Sequence, residues 1–430
     1  MLNLRGYPVL VTLRTTIVKH ILTLLLISLV SFGAPAAFAE AEKTIQVTQL
    51  TGNLYRLTAT YPFETNVVVS SGEDGLLLVD SGSKYTIEEL KRVLSTIGNG
   101  QVKIIINTHA HTEHTSGNKA FGTDVIKIGH QRLRTRLRQG LYVLEEYPES
   151  ALPSITLTDS LSLYFNGERI RLIALPGAHD DSDIIVHFTK SGIVCTGALC
   201  TGMLFPSVDR IGGDALKYGA TVQKLIDLLP ADVVLVPGHG RNCTVPEQRE
   251  FQDMLVKTTE IVKNGLASGK DVATLQEEKV LKDWAAYEGG LTTSDQWIQY
   301  IAYSVQDTKR KNPVAVELYY ALKQAGADSA VSKWHQLRKN RPDEYSFSET
   351  NLVLVGYYLL EKGRIQDAIK IFELYIEEFP EAWNAYDSMG EAHMINNDKE
   401  QAKKYYRKSL ELNPDNTNAE EMLKKLGDSK

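Results

Sequence analysis

Residues 108–114 read THAHTEH and contain three histidines, His109, His111 and His114, beside one carboxylate, Glu113. The stretch follows an apolar run that is predicted to be a buried strand. On an extended chain, side chains at i and i+2 point to the same side. We therefore expect His109 and His111 to hold one metal ion while Glu113 and His114 face a neighbouring position. A helical zinc protease spaces its two histidines as HExxH, so this spacing does not support that class of site.

Other polar residues also follow predicted strands. His179 stands in LPGAHDDSD, His239 in VPGHG and Asp80 in LLLVDSG, each at the end of an apolar run. Open α/β sheets place their sites just past the carboxyl ends of buried strands. Zinc prefers imidazole nitrogen and carboxylate oxygen, and a catalytic site keeps one position open for water. The sequence therefore predicts a zinc site that holds one or two Zn2+ ions per chain.

The order and spacing of these segments resemble those of the metallo-β-lactamase-fold hydrolases. The resemblance rests on THAHTEHTSGN, LLLVDSG, LPGAHDDSD and VPGHG, and it spans residues 44–262. It implies an α+β fold, an αβ/βα sandwich with two metal sites in a cleft at one edge. Matched motif by motif, the resemblance implies that His109, His111 and His179 are the ligands of the first metal.

The same resemblance implies the second metal site and the catalytic residues. His114 and His239, together with Glu113, resemble the ligands of the second metal. Asp80 resembles the buried acid that hydrogen-bonds near the metals and orients their ligands. Glu113, His114 and Asp80 are therefore the predicted catalytic residues. Glu113 and His114, with His239, hold a second ion or orient water and substrate, and Asp80 orients the site.

This chain departs from the family pattern at two positions, and both departures fall on the second metal site. Glu113 stands where the family has aspartate, and Ala198 stands where the family has the aspartate that bridges both metals. Cys200 could reach into this gap as a soft metal ligand. In the alternative, Cys200 and Cys243 form a disulfide near the site or are simply small buried residues.

The amino-terminal segment has the pattern of a secretory signal peptide. Three basic residues precede the apolar run of residues 21–33, and the small residues that follow end in Ala37-Phe38-Ala39. This pattern predicts a signal peptide at residues 1–39, cleaved after Ala39, and a periplasmic or secreted protein. The alternative is an uncleaved anchor, although the run is shorter than the ~20 residues that span a bilayer. We expect no membrane span after cleavage.

Composition limits the remaining classes of partner. The 430 residues exceed one ordinary domain, and 43 % of them are hydrophobic, which is enough to fill more than one core. The net charge of −6 gives no electrostatic reason to expect a nucleic-acid partner. Four arginines alternate along RLRTRLR, residues 132–138, and we expect them to lie on a solvated helix face.

A repeat occupies the carboxyl-terminal part of the chain. Four residues recur with a shift of 34 positions: Gly356, Ala368, Phe372 and Pro380 recur as Gly390, Ala402, Tyr406 and Pro414. This period and pattern resemble the tetratricopeptide repeat. A fainter copy at Ala330, Trp334 and Pro342 extends it. We therefore expect an all-α superhelix at residues 313–428, preceded by a helical extension or linker at residues 263–312.

The resemblance implies an exported zinc-dependent hydrolase, in which metal-bound hydroxide attacks an ester, lactone, lactam or phosphoester bond of a small-molecule substrate. A β-lactam suits an exported enzyme, although no residue selects it. One alternative is a metal-binding pseudoenzyme whose repeats act as a protein-interaction scaffold. Another is a sulfur-handling or redox member of the same fold that uses Cys200. In each case, the repeats offer a surface for a protein partner or for self-association.

Overall fold

The structure is a computed structural model, and it describes residues 44–61, 63–98, 100–140, 146–209, 212–306 and 311–427. The predicted signal peptide therefore lies outside the described residues. The chain divides into two compact units, with the boundary between residues 309 and 310. Among the helices that are described, none is both long enough and apolar enough to cross a bilayer.

The first unit contains two sheets, and the first sheet has seven strands that are hydrogen-bonded in sequence order. The strands are β1 (Ile45–Thr51), β2 (Leu54–Ala59), β3 (Thr65–Gly72), β4 (Gly75–Val79), β5 (Val102–Ile106), β6 (Ile126–His130) and β7 (Ile155–Leu157). β1 to β4 pair antiparallel. β4 to β7 pair parallel, so the carboxyl ends of these four strands lie at the same edge of the sheet.

The second sheet has six strands in the spatial order β13-β12-β11-β10-β9-β8. In chain order they are β8 (Ser160–Phe165), β9 (Glu168–Ala174), β10 (Ile184–Phe188), β11 (Ile193–Gly197), β12 (Val234–Pro237) and β13 (Cys243–Thr244). β11 and β12 pair parallel, whereas the other neighbours pair antiparallel. β11 and β12 therefore also end at one common edge.

The two sheets pack face to face, and β4 shows why its sequence is a continuous apolar run. Leu77 and Val79 belong to the core between the sheets, whereas Leu76 and Leu78 belong to the core on the outer face of the first sheet. Side chains alternate along a strand, so a strand that is buried on both faces must be apolar at every position. Each such side chain contributes roughly 1.5–3 kcal/mol on burial.

Helices cover both outer faces. They are α1 (Ile87–Leu94), α2 (Thr112–Thr115), α3 (Gln131–Gln139), α4 (Ala215–Asp227), α5 (Val245–Ala267), α6 (Val272–Glu277) and α7 (Ser294–Gln306), with 3-10 turns at Ser116–Ala120, Glu149–Ala151 and Lys282–Tyr287. α1 packs on the first sheet, and α4 to α7 share a core with the second sheet. The predicted αβ/βα sandwich is thus confirmed. The segment predicted as a helical extension packs in this unit as far as Gln306.

The second unit consists of helices that pack in antiparallel pairs, as tetratricopeptide repeats do. They are α8 (Val314–Ala325), α9 (Ala327–Asn340), α10 (Glu349–Glu361), α11 (Ile365–Glu378), α12 (Trp383–Ile395), α13 (Lys399–Leu412) and α14 (Thr417–Lys425). Two short strands, β14 (Asn312–Pro313) and β15 (Tyr345–Ser346), pair parallel to each other. The predicted all-α repeat region is therefore confirmed.

The repeated glycines pack directly against the repeated aromatic residues. A Cβ added at Gly356 would lie 2.3 Å from Cε1 of Phe372, and one added at Gly390 would lie 2.9 Å from Cδ1 of Tyr406. These distances are too short for a real side chain, so the two helices of each pair approach as closely as glycine allows. The glycine and the aromatic residue of each repeat therefore pack directly against each other.

Candidate metal centre

The predicted histidine and glutamate ligands come from segments that follow β5, β9 and β12, and Asp80, the predicted orienting acid, follows β4. His109 and His111 lie in the extended chain after β5, whereas Glu113 and His114 lie on the single helical turn α2. His179 follows β9, and His239 follows β12. The common edges of the two packed sheets therefore bring all five histidines together, as the position of each motif at a strand end predicts.

Three of the histidines form a first group. One nitrogen from each of His109, His111 and His179 can be chosen so that all three atoms lie within 4.8 Å of one another. His109 and His179 are fully buried, and the Nε2 atom of each has no hydrogen-bond partner. A buried polar atom without a partner costs ~1–3 kcal/mol. A bound cation would relieve this cost at both atoms, so the residues fit a metal.

Hydrogen bonds fix the orientation of these two rings. Nδ1 of His179 lies 3.1 Å from Oδ1 of Asp183. Nδ1 of His109 lies 2.9 Å from Oγ1 of Thr108, whose hydroxyl donates to Oδ2 of Asp80 at 2.9 Å. In each neutral ring the proton therefore sits on Nδ1, and the lone pair of Nε2 points into the group. This is the tautomer that a metal ligand needs.

The other two histidines form a second group. Nδ1 of His114 lies 2.8 Å from Oδ2 of Asp80, and Nδ1 of His239 lies 2.7 Å from the carbonyl oxygen of Glu64. Both acceptors require a proton on Nδ1, which leaves Nε2 bare in each neutral ring. The two Nε2 atoms face each other at 3.1 Å. Two lone pairs at this distance repel unless a proton or a metal ion binds between them, so this pair also fits a cation.

Glu113 lies between the two groups. Its Oε1 is 3.6 Å from Nδ1 of His111, 3.9 Å from Nε2 of His114 and 3.7 Å from Nε2 of His239. The residue is 7 % exposed. Burial alone would raise the pKa of Glu113, but its contacts with His111 and His239 hold the pKa well below the usual value. Glu113 is therefore a charged carboxylate among the imidazoles.

The electrostatic environment differs between His109 and His111. Burial lowers the pKa of His109 well below its usual value, and repulsion from His114 and His179 lowers it further. Burial also lowers the pKa of His111, but its contacts with Asp209 and Glu113 outweigh this effect and raise the pKa well above the usual value. Side-chain exposure is 22 % at His111 and 16 % at His239, so solvent reaches the centre at these two residues.

The first glycine of VPGHG, Gly238, is required by its close approach to the second histidine group. A Cβ added at Gly238 would lie 2.7 Å from Cε1 of His114, and the backbone N–H of Gly238 donates to the carbonyl oxygen of Gly197 at 2.8 Å. Any larger side chain would displace the His114 ring from His239. The glycine therefore serves the metal centre rather than the turn alone.

Sequence reasoning missed Asp209 and Arg136. Oδ2 of Asp209 lies 3.4 Å from Nε2 of His111, and Nη1 of Arg136 lies 3.4 Å from the same oxygen. Arg136 also pairs with Asp181 at 2.7 Å and is 3 % exposed. The prediction of a solvated face holds for Arg132 but is wrong for Arg136, because helix α3 turns this position toward Asp181 and Asp209. Asp209 has no motif around it that could have revealed its role.

The three cysteines are free and buried. Cys200 and Cys243 both lie in the core between the second sheet and its helices. A hydrogen bond with Cys243 raises the pKa of the Cys200 thiol, and burial raises it further. A metal ligand is a thiolate, which a raised pKa disfavours. The ligand role of Cys200 stays a prediction, and these surroundings do not support it.

Comparison with known proteins agrees with this architecture. The model of the Metallo-beta-lactamase superfamily matches residues 60–239, and the model of the Tetratricopeptide repeat matches residues 383–416. These matches confirm the family resemblance of both parts of the chain. The chain is also 23 % identical over 224 residues to a Linear primary-alkylsulfatase of Pseudomonas sp. (strain ATCC 19151), which covers 41 % of this chain and 42 % of that relative.

Two solved structures complete the comparison. A metallo-beta-lactamase from Pontibacter korlensis is 19 % identical, with a TM-score of 0.43, and the match covers 49 % of this chain and 99 % of that one. The DIM-1 metallo-beta-lactamase is 17 % identical, with a TM-score of 0.41, and the match covers 50 % of this chain and 97 % of that one.

Proposed function

We propose that the metallo-beta-lactamase superfamily domain formed by residues 60–239 is a metal-dependent hydrolase that binds zinc and cleaves an ester-type bond in a small molecule. One observation carries the proposal: the Nε2 atoms of His109 and His179 are buried, point into a histidine group and have no partner. Such an arrangement costs stability in the absence of a cation. It is therefore best explained as a ligand set.

The contacts of each residue indicate its role in the proposed reaction. His109, His111 and His179 would hold the first ion, which would lower the pKa of a coordinated water to about 7 and polarise the bond under attack. Asp80 orients His114 directly and His109 through Thr108. Glu113 supplies negative charge inside the centre.

The substrate enters on the side where solvent reaches His111 and His239. We propose a substrate with an ester, lactone, lactam or phosphoester bond, and the alkylsulfatase relative adds sulfate esters to this set. All five classes present an electron-poor centre to an attacking water. A panel with one chromogenic member of each class, run on zinc-loaded protein, identifies the class by which substrate is turned over.

Metal counting tests the proposal most directly. Elemental analysis of the purified protein should find a transition metal, and His109→Ala should reduce it. His335→Ala is the matched control, because His335 lies in the second unit with a side chain that is 46 % exposed. The proposal fails if the wild type holds no metal, or if His109→Ala and His335→Ala retain the same metal content.

Export and partner binding are parts of the same proposal. The basic, apolar and small-residue segments of residues 1–39 support export to the periplasm or medium. Fractionation followed by mass measurement should find a mature chain that begins after Ala39. The tetratricopeptide repeat supports a protein partner or self-association. Light scattering of the mature chain would reveal self-association as a mass above that of one copy.

A scaffold function is the second candidate, and Ala198 is the observation that favours it, because the bridging acid of the family is absent there. A pseudoenzyme would bind metal and yet turn over no substrate. Complete inactivity of fully loaded protein across the substrate panel would favour this candidate over the hydrolase.

A further inference from the structure

The two departures of this chain from its family involve the same chemical group, a carboxylate. Position 113 has a longer acid than the family pattern, and position 198 has none. Side by side, the two changes could mean that the second metal site is lost. The positions of the Glu113 atoms indicate a different outcome.

One oxygen of Glu113 faces both histidine groups. Oε1 lies 3.6 Å from a nitrogen of His111 in the first group, and 3.9 and 3.7 Å from the Nε2 atoms of His114 and His239 in the second. Two ligand atoms that share one zinc ion at ~2.1 Å are roughly 3.4 Å apart at a tetrahedral angle. All three distances are close to this value, so Glu113 is placed as a ligand toward either group.

The backbone at Glu113 is held in place, so the length of the side chain sets how far the carboxylate reaches. The N–H groups of His114 and Thr115 both donate to the carbonyl oxygen of His111 at 3.1 Å. The carbonyl oxygen of His114 accepts from the N–H of Ser81 at 2.9 Å and from Nδ2 of Asn107 at 3.1 Å. An aspartate at 113 would withdraw the carboxylate by about 1 Å or more, whereas metal–ligand distances hold within about 0.2 Å.

The neighbouring acids already have other roles. Asp80 accepts hydrogen bonds from the backbone and hydroxyl of Thr108 and lies against Nδ1 of His114, on the outer side of that ring. Asp209 lies against Nε2 of His111, whereas Glu113 lies against Nδ1 of the same ring. Asp183 lies against Nδ1 of His179. Each of these three acids orients a ring from outside, and Glu113 faces inward.

We propose that Glu113 is the carboxylate that bridges the two histidine groups, in place of the acid that is missing at position 198, so that both groups bind a metal ion. The longer side chain at 113 and the alanine at 198 are then compensating changes. The bridging carboxylate comes from the segment after β5 instead of the segment after β11. This inference rests on the metal site of the proposed function and adds its stoichiometry and its bridging ligand.

Substitution of Glu113 tests the bridge through metal content rather than activity. The wild type, dialysed against zinc and counted by elemental analysis, should hold two ions per chain. Glu113→Asp keeps the charge but shortens the reach, so it should hold one ion. Glu113→Gln keeps the length but removes the charge, so zinc affinity at both groups should fall by more than about 100-fold. Glu88→Asp is the matched control, because its side chain is 87 % exposed, and it should retain two ions.

A measurement on the wild type alone covers the case in which a variant fails to fold. Protein loaded with Mn2+ should show magnetic coupling between two ions in its paramagnetic resonance spectrum, because a shared carboxylate links them. Two uncoupled ions overturn the inference, as does Glu113→Asp protein that retains two tightly bound ions. A wild type that holds one ion overturns the bridge but leaves the hydrolase proposal intact. A wild type that holds none overturns both.

Discussion

The carboxylate of Asp209 lies 3.4 Å from Nε2 of His111, and the buried guanidinium of Arg136 lies 3.4 Å from the same carboxylate oxygen. The backbone N–H of Asp209 also donates to the carbonyl oxygen of His179 at 2.8 Å. Asp209 is therefore tied to two of the three histidines in the first group. Asp209 contacts one ring nitrogen of His111 as Asp183 contacts one of His179, and in each ring the other nitrogen is the one that we propose binds metal.

We expect Asp209→Ala to weaken metal binding at the first group. Without the carboxylate, the His111 ring can rotate and present the wrong tautomer, and loss of such a partner typically costs 10–100-fold in metal affinity. Zinc titration of the apoprotein against a competing chelator measures the change. Asp253→Asn, at an exposed ion pair with Lys257, is the control. Equal affinity in both variants would show that His111 is oriented without Asp209.

Asp80 should be the acid whose loss damages the fold as well as the site. Its carboxylate accepts from the N–H and hydroxyl of Thr108 at 2.8 and 2.9 Å and lies 2.8 Å from Nδ1 of His114, and its backbone has a φ of 66°. Asp80→Ala leaves these buried donors unpaired and keeps the positive φ, so we expect a loss of about 2–4 kcal/mol of unfolding free energy. Urea denaturation measures it.

Asp80→Asn separates the two roles of this residue. Asparagine tolerates a positive φ and keeps one acceptor, so most of the stability should return. It cannot favour the proton on Nδ1 of His114 as a carboxylate does, so metal binding at the second group should stay weak. An asparagine variant with normal metal content would show that the charge of Asp80 is not needed.

The second unit should lose stability as the pH rises. Burial raises the pKa of Glu391 to about 8 despite its hydrogen bond with Tyr357, and burial raises the pKa of Asp387 to about 6. The folded state thus holds protons that the unfolded chain releases near the ordinary values of 4.5 and 3.8. Stability therefore falls as the pH rises from about 4 to about 8. Hydrogen exchange of the α12 amides should speed up over this range beyond the intrinsic base catalysis.

Glu391→Gln should remove the Glu391 part of this dependence. The amide keeps an acceptor for the hydroxyl of Tyr357 and carries no charge, so at pH 9 the α12 amides should be protected by at least about 1 kcal/mol more than in the wild type. Glu400→Gln, with a side chain that is 84 % exposed, should leave the profile unchanged. Parallel pH profiles for the wild type and Glu391→Gln would contradict the assignment.

Alanine at the repeated glycines should destabilise the second unit in a set order. The added Cβ would lie 2.3 Å from the Phe372 ring at Gly356 and 2.9 Å from the Tyr406 ring at Gly390. Overpacking of this kind costs typically 1–3 kcal/mol, with Gly356→Ala the more damaging of the two. Thermal unfolding of the full chain measures both. Gly122→Ala, where the added Cβ meets nothing within 4 Å, is the control.

Much of the centre could be predicted from local sequence. His109 and His111 stand at i and i+2 after a strand, and His179 and His239 stand in turns that follow apolar runs. These positions can be predicted because side-chain alternation along a strand and the end of a strand depend only on neighbouring residues. The helical repeats could also be predicted, because the residues that recur every 34 positions are found by comparing the sequence with itself.

Other features depended on contacts between distant segments. Arg136 reads as one of four alternating arginines, and only the packing of its helix shows that it is buried against Asp181 and Asp209. Cys200 is a ligand candidate by its sequence position, and only the folded core shows that its thiol lies beside that of Cys243.

The sequence by itself thus determined the two-part architecture and which histidines gather at the candidate metal centre, because periodicity and strand-end motifs depend on residues that are close together in the chain. The tertiary structure alone decided where the carboxylate of Glu113 lies relative to the two histidine groups. Oε1 of Glu113 lies among nitrogens of His111 and His114 from its own segment and of His239 from the distant segment that follows β12. A distance between side chains that are far apart in the chain is created only when both sheets have closed around the site.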